Sequence, residues 1–331
     1  MQIIESFIKL GELLPTFPAE LKLKAHLHNS WFSLENIEKA LRGVEVYLQE
    51  ENLRQWLEKY QDRLPVKNPK KVAVVMAGNI PLVGFHDFLS VLISGHILLA
   101  RMSNDDKILL PWFAQKLIEI EPAWRKKLFF VERINEADAI IATGSDTTAQ
   151  HFEYYFRNKP HIIRKNRVSV AILNGNETRE DLENLGEDIF THFGLGCRNV
   201  AKLFVPTNYD FALFFKVMEK FAEVKNHHKY ANNYEYNKAI YLLRPVEHLD
   251  NGFLLLSQTT ELASPVACLY YDFYENIEDL QNKITQWQEK IQCIVSKEAW
   301  WQGSYPFGKA QYPNLWDYAD GIDTMDFLLN L

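Results

Sequence analysis

Between residues 3 and 14, and again between 34 and 62, apolar side chains recur every three or four positions with charged residues between them, as in Ile37, Leu41, Val44, Tyr47 and Leu48. A period near 3.6 puts such side chains on one face, so both stretches predict amphipathic helices. At RLPVKNPKK (63–71) two prolines and a basic run mark a boundary. Beyond it the texture changes. VAVVMAG, HILLARMS, KLFFVER, ADAIIATGS and VSVAIL are short apolar runs of strand character. Between them PLVGFHDFLSVLISG, DDKILLPWFAQKLIEI, residues 147–156 and residues 178–190 carry helical spacing. Alternating buried strands and helices predict βαβ units and a mostly parallel sheet. The pattern continues with a strand at AKLFVP, a helix from about Asp210 and a Tyr/Asn/His-rich loop, NHHKYANNYEYNKA. FLLLSQTTELASPVACLYYDFYENIEDLQNKI then reads as strand, polar turn, strand and helix, and the tail as irregular packed structure. There are no repeats and no low-complexity tract.

Composition narrows the classes. A chain of 331 residues that is 47% hydrophobic predicts two lobes. Its 43 acidic and 36 basic residues leave a net charge of −7, with no general attraction for phosphate backbones, so nucleic acid is not an expected partner. Cys197, Cys268 and Cys293 are odd in number and widely spaced, which speaks against a disulfide framework or a structural zinc and for a cytoplasmic protein with reduced thiols. The N-terminus has acidic residues within its apolar pattern and no small-residue cleavage site, unlike a secretory signal. FLSVLISGHILLA (88–100) is too short to span a bilayer, so no membrane span is expected. HLH (26–28) and His227-His228 lack acidic partners at ligand spacing, so no metal site is expected. No GxSxG elbow or GxGxxG fingerprint is present.

The candidate chemistry sits at strand ends and around one cysteine. AGN (77–79), RMSND (101–105) and TGSDTT (143–148) follow predicted strands, where ligands of parallel sheets bind. The last leads directly into a helix, so it is either an N-cap or a phosphate-binding turn. In HFGLGCRNVAKLFVP (191–205) Gly194 and Gly196 remove bulk around Cys197, and Arg198 adds a cation. A nucleophilic cysteine needs positive potential and open approach, and a helix starting after it would add oxyanion donors. A cysteine inside a protein is also commonly a small buried hydrophobe, and the residues leave both readings open. Cys268 and Cys293 fit the buried reading. His192 reads as a structural histidine, and His86-Asp87, on the helix after Asn79, faces either the sheet or the cleft.

Taken in order, these motifs resemble the aldehyde dehydrogenase superfamily. HFGLGCRNVAKLFVP is similar to the cysteine motif of the acyl-CoA reductase family that includes the fatty acid reductase subunit of bacterial bioluminescence, and the similarity covers most of residues 70–331. The resemblance implies an α/β fold with two parallel-sheet lobes, a Rossmann-like cofactor lobe and a catalytic lobe. It implies Cys197 as nucleophile and Asn79, in MAGNIPLVGFHDFLSVLISGHILLARMSNDD, as the amide that donates to the oxyanion. Arg101 matches the superfamily Lys that touches the cofactor ribose, with Ser103 beside it. Gly144 and Ser145 match the turn that holds the pyrophosphate. Glu261, in ELASPV, matches the Glu that binds the nicotinamide ribose, and PFGKAQ (306–311) resembles a C-terminal Pro-Phe-Gly turn.

Departures from the pattern select the reaction. HIIRKNRVSVAIL (161–173) has no carboxylate where the hydrolytic enzymes keep the base that activates water. An acyl enzyme is then exchanged with a thiol, and the expectation is NAD(P)H-dependent reduction of an acyl thioester, acyl-CoA, to an aldehyde. A silent nucleotide- or acyl-binding protein and an acylating dehydrogenase running in the oxidative direction are the alternatives. Asn104 stands where an acidic residue often meets the adenosine 2′-hydroxyl. With Arg101 and Lys107 nearby, and Asp105 and Asp106 opposing them, the balance leans slightly to NADPH over NADH. The expected organisation is an N-terminal helical segment (1–60), a cofactor lobe (61–175), a catalytic lobe (176–300) and a tail (301–331) packing across both. The N-terminal portion and the Cys197–Glu261 span are short for the superfamily, which leaves acyl length open and allows a homo-oligomer.

Overall fold

VAVVMAG forms β1 (Lys71–Val75), the central strand of a five-stranded parallel sheet. The order is β3 (Leu128–Phe130), β2 (Ile97–Arg101), β1, β4 (Ala139–Thr143) and β5 (His161–Arg164). Strands buried on both faces need apolar side chains at every position, which is why β1, β2 and β4 read as continuous runs. The chain leaves β1 for β2 and later returns on its other side as β4, so the carboxyl ends of β1 and β4 flank a topological switch point. The computed structural model describes residues 2–144 and 146–331.

Two compact units result, Met1–Asn166 with Asn314–Leu331, and Arg167–Pro313. The N-terminal segment, expected as its own block over 1–60, instead belongs to the first unit. Its helices Gln2–Glu12, Leu34–Tyr47 and Glu50–Leu57 put Phe7, Leu10, Ile37 and Trp56 into the same core as Phe88 and Phe113. The helical stretch expected over 34–62 consists of Leu34–Tyr47, Glu50–Leu57 and a 3-10 stretch, Glu58–Arg63. A further helix, Ala19–His28, escapes the periodicity because Ala25 is its one buried residue.

The stretch 314–331 closes the same unit. His86, in the buried helix Phe85–Ile93, sits among the rings of Tyr47, Trp56 and Tyr318, and its Nε2 donates to the Leu315 carbonyl at 2.9 Å. Burial lowers its pKa and keeps the ring neutral. The neighbouring Asp87 forms a buried ion pair with Arg164 at the end of β5, and Arg164 also donates to Thr324 Oγ1 at 2.9 Å. His86-Asp87 is therefore structural.

The second unit holds seven strands in the order β12 (Tyr305–Pro306), β11 (Ile291–Ser296), β6 (Val168–Ile172), β7 (Val200–Pro206), β10 (Cys268–Tyr274), β9 (Leu255–Gln258) and β8 (His248–Asp250). All neighbours run parallel except β8 and β9. The boundary expected at 175/176 lies at 166/167, because β6 pairs with β7 and β11. An apolar run does not reveal which sheet it will join; only its hydrogen-bonding partners do. The tail divides in the same way, with 301–313 in the second unit and 314–331 in the first.

The expected loop NHHKYANNYEYNKA is a helix, His228–Leu243. Its inward face is Tyr230, Tyr234, Asn237 and Tyr241, a spacing of four, three and four. The tyrosines bury ring surface, and Tyr234, Asn237 and Tyr241 satisfy their polar ends on Asp250, the Val266 carbonyl and Ser257. A helix stripe made of tyrosine and asparagine is invisible to a pattern search for aliphatic residues.

Candidate active site

Cys197 stands at the front of β7 on a turn that its neighbours build. Helix Arg179–Phe190 opens with a capping box between Thr178 and Asp181 and ends at Thr191. His192, Phe193 and Gly194 then take successive positive φ values of 53°, 57° and 77°. Glycine tolerates this region freely, whereas His and Phe are strained there by roughly 1–2 kcal/mol each. Asn199 over-determines the bend. Its side chain donates to the carbonyls of Asp188, Ile189 and Thr191, at 3.1, 3.3 and 2.7 Å, and accepts from the Gly196 N–H at 2.8 Å. Its own N–H closes the turn on the Gly196 carbonyl at 3.0 Å, leaving Cys197 and Arg198 at the tip.

The cysteine is exposed, whereas Cys268 and Cys293 are buried. The burial that made a small-hydrophobe reading possible is therefore absent at Cys197. Ser169 on β6 donates to the Cys197 carbonyl at 3.1 Å and lies 3.0 Å from Cys293 Sγ. No helix follows Cys197: the chain enters β7 at Val200, so the oxyanion donors expected from a helix start are not formed. Burial pushes the Cys268 thiol up to about 11, far from the thiolate form.

Arg198 turns its guanidinium inward. Its Nε donates to the Ala310 carbonyl, and the group lies 5.1 Å from the centre of the Tyr305 ring. Burial opposes its charge, but Cys293, Tyr305 and Cys197 all favour the cation, so it stays protonated with its field on the two thiols. Ala310 is gripped from both sides, since its N–H donates to Asp188 at 3.0 Å, as the Gly308 N–H does at 2.7 Å. Burial raises Asp188 to about 7 against these two donors. The Pro-Phe-Gly turn is thus part of the wall behind the cysteine.

Glu261 follows β9 with an exposed side chain. Its carbonyl accepts from the Lys202 ammonium at 2.9 Å, and the Thr259 carbonyl does so at 2.8 Å. Lys202 was not among the expected site residues, although a lysine inside an apolar strand such as AKLFVP signals an internal partner.

In the first unit the expected residues gather at the carboxyl ends of the sheet. Asn79 is exposed in the loop after β1, Arg101 is exposed at the end of β2, and Gly144 follows β4. Ser103 packs over Gly78 so closely that a Cβ at Gly78 would lie 2.5 Å from its hydroxyl, and that hydroxyl accepts from the Asp105 N–H at 3.2 Å. Gly144 donates to the Arg164 carbonyl at 3.2 Å, and a Cβ on it would lie 2.9 Å from the Thr148 methyl. Ser145 lies outside the described residues. Asp106, counted above against a 2′-phosphate, is turned inward instead. It accepts from the Leu82 N–H at 2.7 Å, beneath the loop that carries Asn79, and burial raises it to about 6. Among the described residues no helix is long and apolar enough to cross a membrane.

Replacing Asn199 by alanine strips partners from one buried N–H and three carbonyls. An expected loss of roughly 2–3 kcal/mol follows, measurable by urea unfolding.

Solved structures place this architecture in a known class. The indole-3-acetaldehyde dehydrogenase AldA of P. syringae, a mutant in complex with NAD+ and IAA, superposes with a TM-score of 0.68 at 14% identity, over 94% of this chain and 74% of that one. The aldehyde dehydrogenase KauB from Pseudomonas aeruginosa gives 0.67 at 14%, over 89% and 71%. An aldehyde dehydrogenase from Bacillus cereus in complex with NAD+ gives 0.63 at 12%, over 89% and 71%. At these identities the likeness establishes the aldehyde dehydrogenase fold. No curated protein matches the chain. The profile of the acyl-CoA reductase (LuxC) family matches residues 9–220, and the chain belongs to that family. It is an oxidoreductase acting on acyl or aldehyde groups.

Proposed function

We propose that this protein reduces an acyl thioester, acyl-CoA, to the aldehyde through a thioester on Cys197. The observation that carries this reading is the exposed Cys197 at the tip of a rigidly held turn, under the field of Arg198, in a chain of the acyl-CoA reductase family. The Cys197 thiolate attacks the thioester carbonyl carbon. The tetrahedral oxyanion that forms is the charge that the Asn79 amide is assigned to meet. Its collapse expels the coenzyme A thiolate and leaves the acyl group on sulfur. Reduction of that acyl thioester by two electrons and one proton releases the aldehyde and restores the thiolate. No carboxylate in 161–173 is present to activate water, so the acyl enzyme is spared hydrolysis.

A nicotinamide dinucleotide supplies the two electrons when bound. The residues present fit it. The crevice at the β1/β4 switch point is the place where doubly wound sheets take such ligands, and Gly144 keeps the turn after β4 free of side-chain bulk. As the resemblance implies, Arg101, Ser103, Gly144 and Ser145 are assigned to its ribose and pyrophosphate, and Glu261 to the nicotinamide ribose. Asn104, Arg101 and Lys107 favour NADPH over NADH, and with Asp106 turned inward, Asp105 remains to oppose a 2′-phosphate. The family and composition also support a cytoplasmic enzyme.

The test is direct. Purified protein mixed with acyl-CoA of short to long chain and NADPH or NADH is followed at the absorbance of the reduced nicotinamide, with the aldehyde trapped and identified. Turnover with at least one chain length and a larger kcat/KM for NADPH is expected. No oxidation of either nucleotide at any chain length rejects the reading.

A further inference from the structure

The chemistry assigned to the second unit depends on two turns far apart in sequence, one holding Cys197 and one holding Glu261. β7 touches both. It begins at Val200, three residues after the cysteine, and its third residue is Lys202. Lys202 has none of its surface exposed. A lysine buried to that degree needs partners for its ammonium, because an unpaired buried charge costs several kcal/mol. Its ammonium donates to two backbone carbonyls, Thr259 and Glu261, at 2.8 and 2.9 Å.

The stretch between them is short and otherwise weakly held. After β9 ends at Gln258, the Thr259 N–H still pairs with the Tyr271 carbonyl at 3.0 Å, and the Glu261 N–H donates to the Thr259 hydroxyl at 3.2 Å. Leu262 then drops into the core beside Phe204. Between those anchors the two Lys202 bonds fix where the Glu261 backbone stands, and hence where its exposed carboxylate projects. Burial pushes the ammonium down to about 8, with Asp272 pulling the other way, so holding this charge works against its own desolvation. The Phe204 ring, 5.3 Å from the ammonium, closes the site on another side. An aliphatic residue would fill an ordinary core position of β7 at no such cost.

We propose that Lys202 is a positioning residue for Glu261: from the strand that follows the cysteine, it clamps the Thr259–Glu261 turn so that the Glu261 carboxylate is presented to the cofactor. This rests on the assignment of Glu261 to the nicotinamide ribose made above. Lys202 itself touches neither substrate nor cofactor. Its loss is therefore felt in cofactor binding, while acyl transfer to Cys197, which needs no cofactor, is preserved.

The experiment uses the full chain. NADPH affinity is measured by fluorescence titration, and acylation of Cys197 by intact mass after exposure to acyl-CoA without nucleotide. Lys202→Met keeps the stem and removes the donors. It is expected to weaken NADPH binding about tenfold, equivalent to about 1.4 kcal/mol, and to acylate at the wild-type rate, which also shows that it folds. Lys202→Arg, which keeps cationic donors, is expected to bind within roughly threefold of wild type, a loss at the lower end of one net hydrogen bond. In a Glu261→Gln background, Lys202→Met is expected to add nothing, because the carboxylate it positions is gone. Unchanged affinity in Lys202→Met with weakened binding in Glu261→Gln overturns the clamp alone. Unchanged affinity in Glu261→Gln overturns the ribose assignment, and the clamp falls with it. Additive losses in the double variant assign Lys202 to general stability and also overturn the proposal.

Discussion

Replacing Cys197 by alanine is expected to abolish turnover, with a fall in kcat of roughly four to six orders of magnitude, the scale seen when a covalent nucleophile is removed. The same variant is expected to show no added acyl mass after exposure to acyl-CoA. Cys268→Ala keeps the adduct, because that thiol is buried and held far above the range in which it ionises. The contrast matters more than the loss. Three cysteines compete for the role, and exposure and charge separate them. Cys197 stands at a turn tip next to the Arg198 cation, whereas Cys293 is buried behind it against Ser169. Full activity in Cys197→Ala, or an adduct that migrates to another residue, would reject Cys197 as nucleophile.

The second large effect lies far from this chemistry in sequence. Asp87→Ala leaves the Arg164 guanidinium buried without its counter-charge and is expected to cost roughly 3–5 kcal/mol. For a unit of this size that lowers Tm by roughly 6–20 °C, readable by calorimetry. The reason is the asymmetry of buried charge. A paired ion in the interior contributes little net stability, but a single ion left there is heavily penalised. The double variant Asp87→Leu, Arg164→Met removes both charges and is expected to recover most of the loss. If the single and double variants melt together, the pair is not what holds β5, the helix Phe85–Ile93 and Thr324 in place.

Both predictions concern residues that the sequence treated very differently. Cys197 stands out in the sequence as a candidate nucleophile because its signal is local: glycines, a cation and an ordered set of neighbouring motifs resembling one superfamily. Asp87 was not, because its partner Arg164 is 77 positions away and sits at the end of a strand read only as part of a longer stretch. Asn199 and Asp188 are similar cases. Each looks like an ordinary polar residue until the chain folds; Asn199 then saturates backbone groups of the cysteine turn, and Asp188 those of Gly308 and Ala310. The helix His228–Leu243 was missed for a different reason, its buried stripe being tyrosine and asparagine.

By itself the sequence determined the alternation of strands and helices, the parallel character of the first sheet and the candidate nucleophile. These follow from side-chain periodicity and local backbone freedom, which act between residues close in the chain. Only the tertiary structure decided which sheet β6 joins, that the N-terminal helices share a core with β1, and that Lys202 meets Glu261. Those outcomes depend on hydrogen bonds and apolar contacts between distant segments, whose pairing is fixed by register and by the need to satisfy every buried polar group. A lysine in AKLFVP announces that it must have a partner, but only the neighbouring strands determine which carbonyls that partner will be.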